Sequence, residues 1–181
     1  MIRRLLDGLY LVSGWLAGLF LLAIFVLMML LSGGRFVGFN IPAGDDFVAW
    51  CMAATAFLGL AHTFKSGELI RVGLITDKLR GKAKWVMEII CLIIGTGFTG
   101  FFAWNAVKLT YESYRFNDMA QGVLAVPLWI PQLGYCGGLV ILLIAFVDEL
   151  VHVGLGGEPR YEKPPATTAE EVVERAVQSG I

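Results

Sequence analysis

The chain is 181 residues long, 57% hydrophobic and 16% charged, with a net charge of −1 at pH 7 and a mean hydropathy of +0.71. That mix leaves too few polar groups to solvate the surface of an ordinary water-soluble domain, so the composition is that of a membrane protein. A net charge near zero, with no basic patch interleaved with aromatics, gives no sign of a nucleic-acid partner.

In chain order, charge-free runs occupy 8–34, 47–64, 89–107 and 119–147. At about 1.5 Å per helical residue each can cross a hydrocarbon core of roughly 30 Å. Lipid offers backbone N–H and C=O groups no partners, so spans of this length form helices. The period-two alternation of a barrel strand is absent from runs such as LFLLAIFVLMMLL. The expected fold is all-α, with transmembrane helices near 9–31, 47–64, 86–107 and 128–147. Residues 1–155 form the membrane domain and 156–181 a polar tail.

Arg3 and Arg4 precede the first run, which is too long for the roughly 7–15 apolar residues of a signal peptide and reads as a retained anchor. It carries Gly14 and Gly18 four apart, a spacing that permits close helix approach in lipid. A connection with Arg35, Asp45 and Asp46 leads to the second span, where Thr55, Gly59 and Thr63 make a small-residue stripe. In the third, Glu88 is the main intramembrane ionisable group, with Lys84 one turn away as its expected partner. Pro127 and Pro131 flank the start of the fourth, where a missing N–H costs little, and Gly134 and Gly138 repeat the four-residue spacing. Cys51, Cys91 and Cys136 all fall within spans and give no disulfide framework. Trp15, Trp50, Trp85, Trp104 and Trp129 lie mostly near span ends, as interfacial anchors do. In the tail, Thr168 to Glu171 has capping-box spacing ahead of a short apolar stripe.

Six of the fourteen Lys and Arg residues fall within 64–85, two precede the first span and three lie in the tail. Cationic residues favour the cytoplasmic side, so both termini and the central connection are expected there. Within that connection Leu69, Val72, Ile75 and Leu79 recur at helical spacing while Arg71, Lys78 and Lys82 fall elsewhere on the wheel. A helix lying in the interface, with those cations toward anionic lipid headgroups, is the expectation for the 65–84 loop.

No span has a charge at its centre, and no metalloprotease motif, cysteine pair or nucleophile with a base is present. These features point to a non-catalytic membrane scaffold with no cofactor. An alternative is a haem-bearing anchor of an electron-transfer complex, with His62 and His152 as axial ligands.

The stretch from IPAGDDFVAWCMAATAFLGLAHTFKSGELIRVGLI through the basic connection, followed by VPLWIPQLGYCGGLVILLIAFVDEL, resembles the small permease subunit of tripartite ATP-independent periplasmic (TRAP) transporters, the DctQ-like family. The resemblance rests on an acidic residue before the second span, the Phe57 to Gly59 FLG, and a glycine-led pattern after it, here Gly67, Ile70 and Val72. Leu69 and Gly73 stand where His and Asp are common in the family. The resemblance implies a multi-pass subunit of a bacterial inner membrane that packs against a large TRAP permease subunit. It also implies a periplasmic substrate-binding protein that delivers an organic acid for sodium-coupled import. Exposed charges commonly steer partners, so the outer-loop charges Arg35, Asp45 and Asp46 are expected near the docked binding protein.

Overall fold

The computed structural model describes residues 2–38, 41–66, 82–122 and 124–157. Among these the protein is all-helical: α1 (Ile2–Val37), α2 (Gly44–Lys65), α3 (Lys82–Phe116) and α4 (Trp129–Gly154). All four are long and apolar enough to cross a membrane. The motif residues Gly67, Ile70 and Val72, the cations Arg71 and Lys78, most of the expected interfacial helix, and the tail from residue 158 onward lie outside the described residues.

The helices extend beyond the charge-free runs. The third was expected to end near residue 107 and continues through Lys108, Glu112 and Arg115 to Phe116; the first begins at Ile2, and Lys82 already belongs to α3. Charged residues have good helix propensity, so they end an apolar run without ending a helix. What ends a helix is local. Asn117 adopts a left-handed conformation with φ 54°, and the Asp118 N–H donates to the Ser113 carbonyl. At the end of α4, Gly156 has φ 86°, with the Gly156 N–H donating to Val153 and the Gly157 N–H to His152. This is the Schellman arrangement, for which glycine carries no Cβ penalty. The α2 helix begins after left-handed Ala43 and places Asp45 and Asp46 in its first turn, where carboxylates complement the helix dipole.

The packing order is α1, α2, α4, α3, each helix lying along the next, while α1 and α4 touch only slightly. The core is correspondingly divided. Tyr10, Ala61, Phe64, Leu92, Leu142, Ala145 and Val153 form one cluster toward the side where α1 starts and α4 ends, called here the termini side. Ala17, Ala54 and Leu58 join α1 to α2, and Ala103, Ala106, Cys136 and Leu139 join α3 to α4. Little of α1 or α3 is buried within the chain, so large apolar side chains such as Leu19, Phe25, Phe98 and Trp104 face outward. In lipid that exposure costs nothing, whereas in water it would form an aggregating surface.

Candidate functional site

Close helix approach is concentrated where α4 crosses α2. A Cβ on Gly134 would stand 2.7 Å from the Ala54 Cβ, and one on Gly138 would stand 2.6 Å from the Phe57 carbonyl oxygen. Both positions therefore hold α4 against the backbone of α2. The matching pair on α1 behaves differently. At Gly14 the neighbour is the His62 ring, 2.9 Å from a would-be Cβ, and Gly18 faces open space. Contact between α1 and α2 is made instead by Ser13, whose buried hydroxyl donates to the Leu58 carbonyl, and by Ala17, which lies 3.8 Å from a Cβ built on Gly59.

Ionisable groups gather at the termini side. Lys65, the last residue of α2, reaches Asp148 on α4 at 3.4 Å and Glu149 at 4.0 Å, and its ammonium lies 5.6 Å from the centre of the Tyr10 ring on α1. Glu149 is 1% exposed, so this carboxylate has left water and depends on protein groups for compensation. Nearby in sequence to Lys84, Glu88 on α3 is also buried, and the Trp85 indole N–H donates to the Val153 carbonyl at 3.1 Å. All four helices thus meet polar anchoring at this side. Sequence reading singled out Glu88 and missed Glu149 and Lys65, which are far apart in the chain. The adjacent acidic pair at the end of an otherwise apolar run was the available signal.

On the opposite side, where α1 ends and α4 begins, Arg35 and Asp45 are exposed and Asp46 is half-buried, its carboxylate against Gly122. Residues 117–122 and 124–128 pair with one another: Met119 and Pro127 form an isolated bridge, the Ala120 N–H donates to Val126, and the Leu128 N–H donates to Asp118. The helix ends that this connection joins, of α3 and α4, are tied to each other by a Gln132 to Ser113 hydrogen bond of 3.1 Å and an edge-on contact between Tyr114 and Trp129. The surface on this side therefore includes an ordered turn beside Asp46 that sequence patterning did not supply.

His62 packs its ring on Gly14, and His152 packs its ring on Gly157 beyond the end of α4. Each imidazole has a structural neighbour on a different part of the bundle. Among the described residues no group of three His, Cys, Asp or Glu side chains is placed to hold a metal ion. The three cysteines are free thiols.

A family model described as Tripartite ATP-independent periplasmic transporters, DctQ component, matches residues 24–153. The matched stretch runs from the second half of α1 to the penultimate residue of α4 and takes in the glycine crossing and the Lys65 contacts with Asp148 and Glu149. No curated protein matches the chain.

Proposed function

The chain belongs to the DctQ component family of the tripartite ATP-independent periplasmic transporters, and we propose that it acts there as a non-catalytic scaffold subunit of a bacterial inner membrane. It packs against the large permease, which binds sodium and an organic acid handed over by a periplasmic binding protein. The termini side is cytoplasmic, following the excess of Lys and Arg, and the turn beside Asp46 faces the periplasm.

The observation that supports this reading is how the four helices distribute their polar groups. Lys65, Glu88, Asp148 and Glu149 all belong to one side of the bundle and are taken up in inter-helix packing, and the span centres offer apolar clusters in place of an ion site. Transport across a bilayer needs groups that coordinate the ion or substrate near the midplane. A subunit that instead packs its four helices in the row α1, α2, α4, α3 and leaves most of α1 and α3 uncovered within the chain is suited to holding another protein in place.

Proteoliposomes with an imposed sodium gradient and the cognate binding protein test the proposal. Uptake is expected only when this chain and the large permease are present together. Sodium-driven uptake by this chain alone would overturn the scaffold assignment.

A further inference from the structure

At the termini side a polar pocket between α1 and α2 opens into an apolar groove. The pocket, about 150 Å³, is lined by Asp7, Tyr10, Leu11, His62, Lys65 and Ser66. The groove, about 570 Å³, shares Leu11 and His62 with it and follows α1 past Gly14 and Gly18 to Leu22, with Trp15 and Leu19 alongside. No side chain of the described chain fills the groove at Gly18, where an added Cβ would meet nothing within 4 Å.

The two parts sit at the depths that a single lipid molecule requires. Asp7 immediately precedes the charge-free run of α1, and Lys65 immediately follows that of α2, so the polar pocket lies at headgroup level. From Leu11 to Leu22 a helix advances about 16 Å, close to half of a hydrocarbon core of roughly 30 Å, the depth of one leaflet. The groove runs through a single leaflet from a polar end, which is the extent of one acyl chain below its headgroup.

The charges select the headgroup. Lys65 contacts Asp148 and Glu149 at 3.4 and 4.0 Å, longer than the roughly 2.7–2.9 Å of a close charge-assisted hydrogen bond. Its ammonium, with three donors, can therefore also serve a phosphate. Asp7 supplies a carboxylate to the same pocket. A headgroup bearing only negative charge would meet Asp7 and the two carboxylates already on Lys65, whereas one with phosphate and ammonium is matched at both ends. We propose that this pocket and groove bind one zwitterionic aminophospholipid, with its phosphate on Lys65, its ammonium on Asp7 and an acyl chain along Leu11 to Leu22. The inference rests on the membrane-spanning helices and is independent of the transporter assignment.

Native mass spectrometry of the full chain, delipidated in mild detergent and titrated with dioleoylphosphatidylethanolamine or dioleoylphosphatidylglycerol, tests it. One ethanolamine lipid should remain bound, preferred over the glycerol lipid by about fivefold or more, the ratio worth about 1 kcal/mol. Gly18→Leu, which fills open space and leaves the Ser13 and Ala17 contacts intact, should weaken retention by a similar factor. Asp7→Asn should abolish the headgroup preference without abolishing binding. Equal retention of the two lipids by the wild-type chain, or full retention by Gly18→Leu, overturns the proposal. So does loss of a co-purifying large permease from Gly18→Leu with lipid retention unchanged, because the groove would then hold a protein helix.

Discussion

The Lys65 ammonium of α2 lies 3.4 Å from the Asp148 carboxylate and 4.0 Å from that of Glu149, two neighbours on α4 that differ in burial. Asp148 keeps partial contact with solvent, while Glu149 is 1% exposed. The same lysine therefore takes part in one contact of modest worth and one in which a desolvated carboxylate draws on its charge.

Replacing Lys65 with Met should destabilise the bundle by roughly 1–3 kcal/mol, below the full cost of breaking a buried pair because Lys65 itself is partly exposed. Lys108→Met is the control. Its partner Glu112 is 3.8 Å away on the same helix, with both side chains well exposed, and the change should cost about 0–1 kcal/mol. Thermal unfolding in detergent, followed by tryptophan fluorescence, compares the two; equal shifts would remove the special role of Lys65.

Gly138→Val should disrupt the crossing of α2 and α4, because its Cβ would stand 2.6 Å from the Phe57 carbonyl oxygen and 2.7 Å from the Leu58 nitrogen. Backbone atoms cannot rotate away as a side chain can, so a cost above the roughly 1–3 kcal/mol of ordinary overpacking is expected. Loss of the folded species on size exclusion measures it. A well-behaved Gly138→Val protein would show that α4 can shift along α2.

Gly14 with Gly18 and Gly134 with Gly138 have identical spacing, and nothing in the sequence ranks one pair above the other. Only three-dimensional placement separates them: Gly138 meets the α2 backbone and Gly18 meets open space. The four helices were legible because hydrocarbon thickness dictates the length of an apolar run. Their ends were less so, since Lys108, Glu112 and Arg115 continue α3 as readily as leucines would, and the stop at Asn117 depends on one left-handed residue. Lys65 and Glu149 are separated by two connections, the whole of α3 and most of α4, so their meeting follows from the packing order rather than from any local pattern.

Orientation is tested by cysteine accessibility in a background without Cys51, Cys91 and Cys136. Gly81→Cys should resist an impermeant thiol reagent added to intact cells, and Gly38→Cys should react, because eleven of the fourteen Lys and Arg residues fall on the side assigned to the cytoplasm. The reverse labelling pattern would invert every assignment of a face made above.

Asp45 and Asp46 were expected together as contacts for the binding protein, and their surroundings differ. Asp46 lies against Gly122 and helps seat the turn between α3 and α4, so reversing its charge would disturb that turn as well as any encounter. Asp45 is exposed at the start of α2 and is the cleaner probe. Exposed charges at an interface chiefly govern the rate of encounter, and salt screens them over about 8–10 Å. Asp45→Lys should therefore slow binding-protein-dependent uptake at low ionic strength by a few-fold, with the difference shrinking as salt is raised and expression unchanged. Asp46→Lys should slow uptake at every ionic strength, because part of its effect is structural. Uptake by Asp45→Lys equal to wild type from low to high salt would place the docked binding protein away from the start of α2.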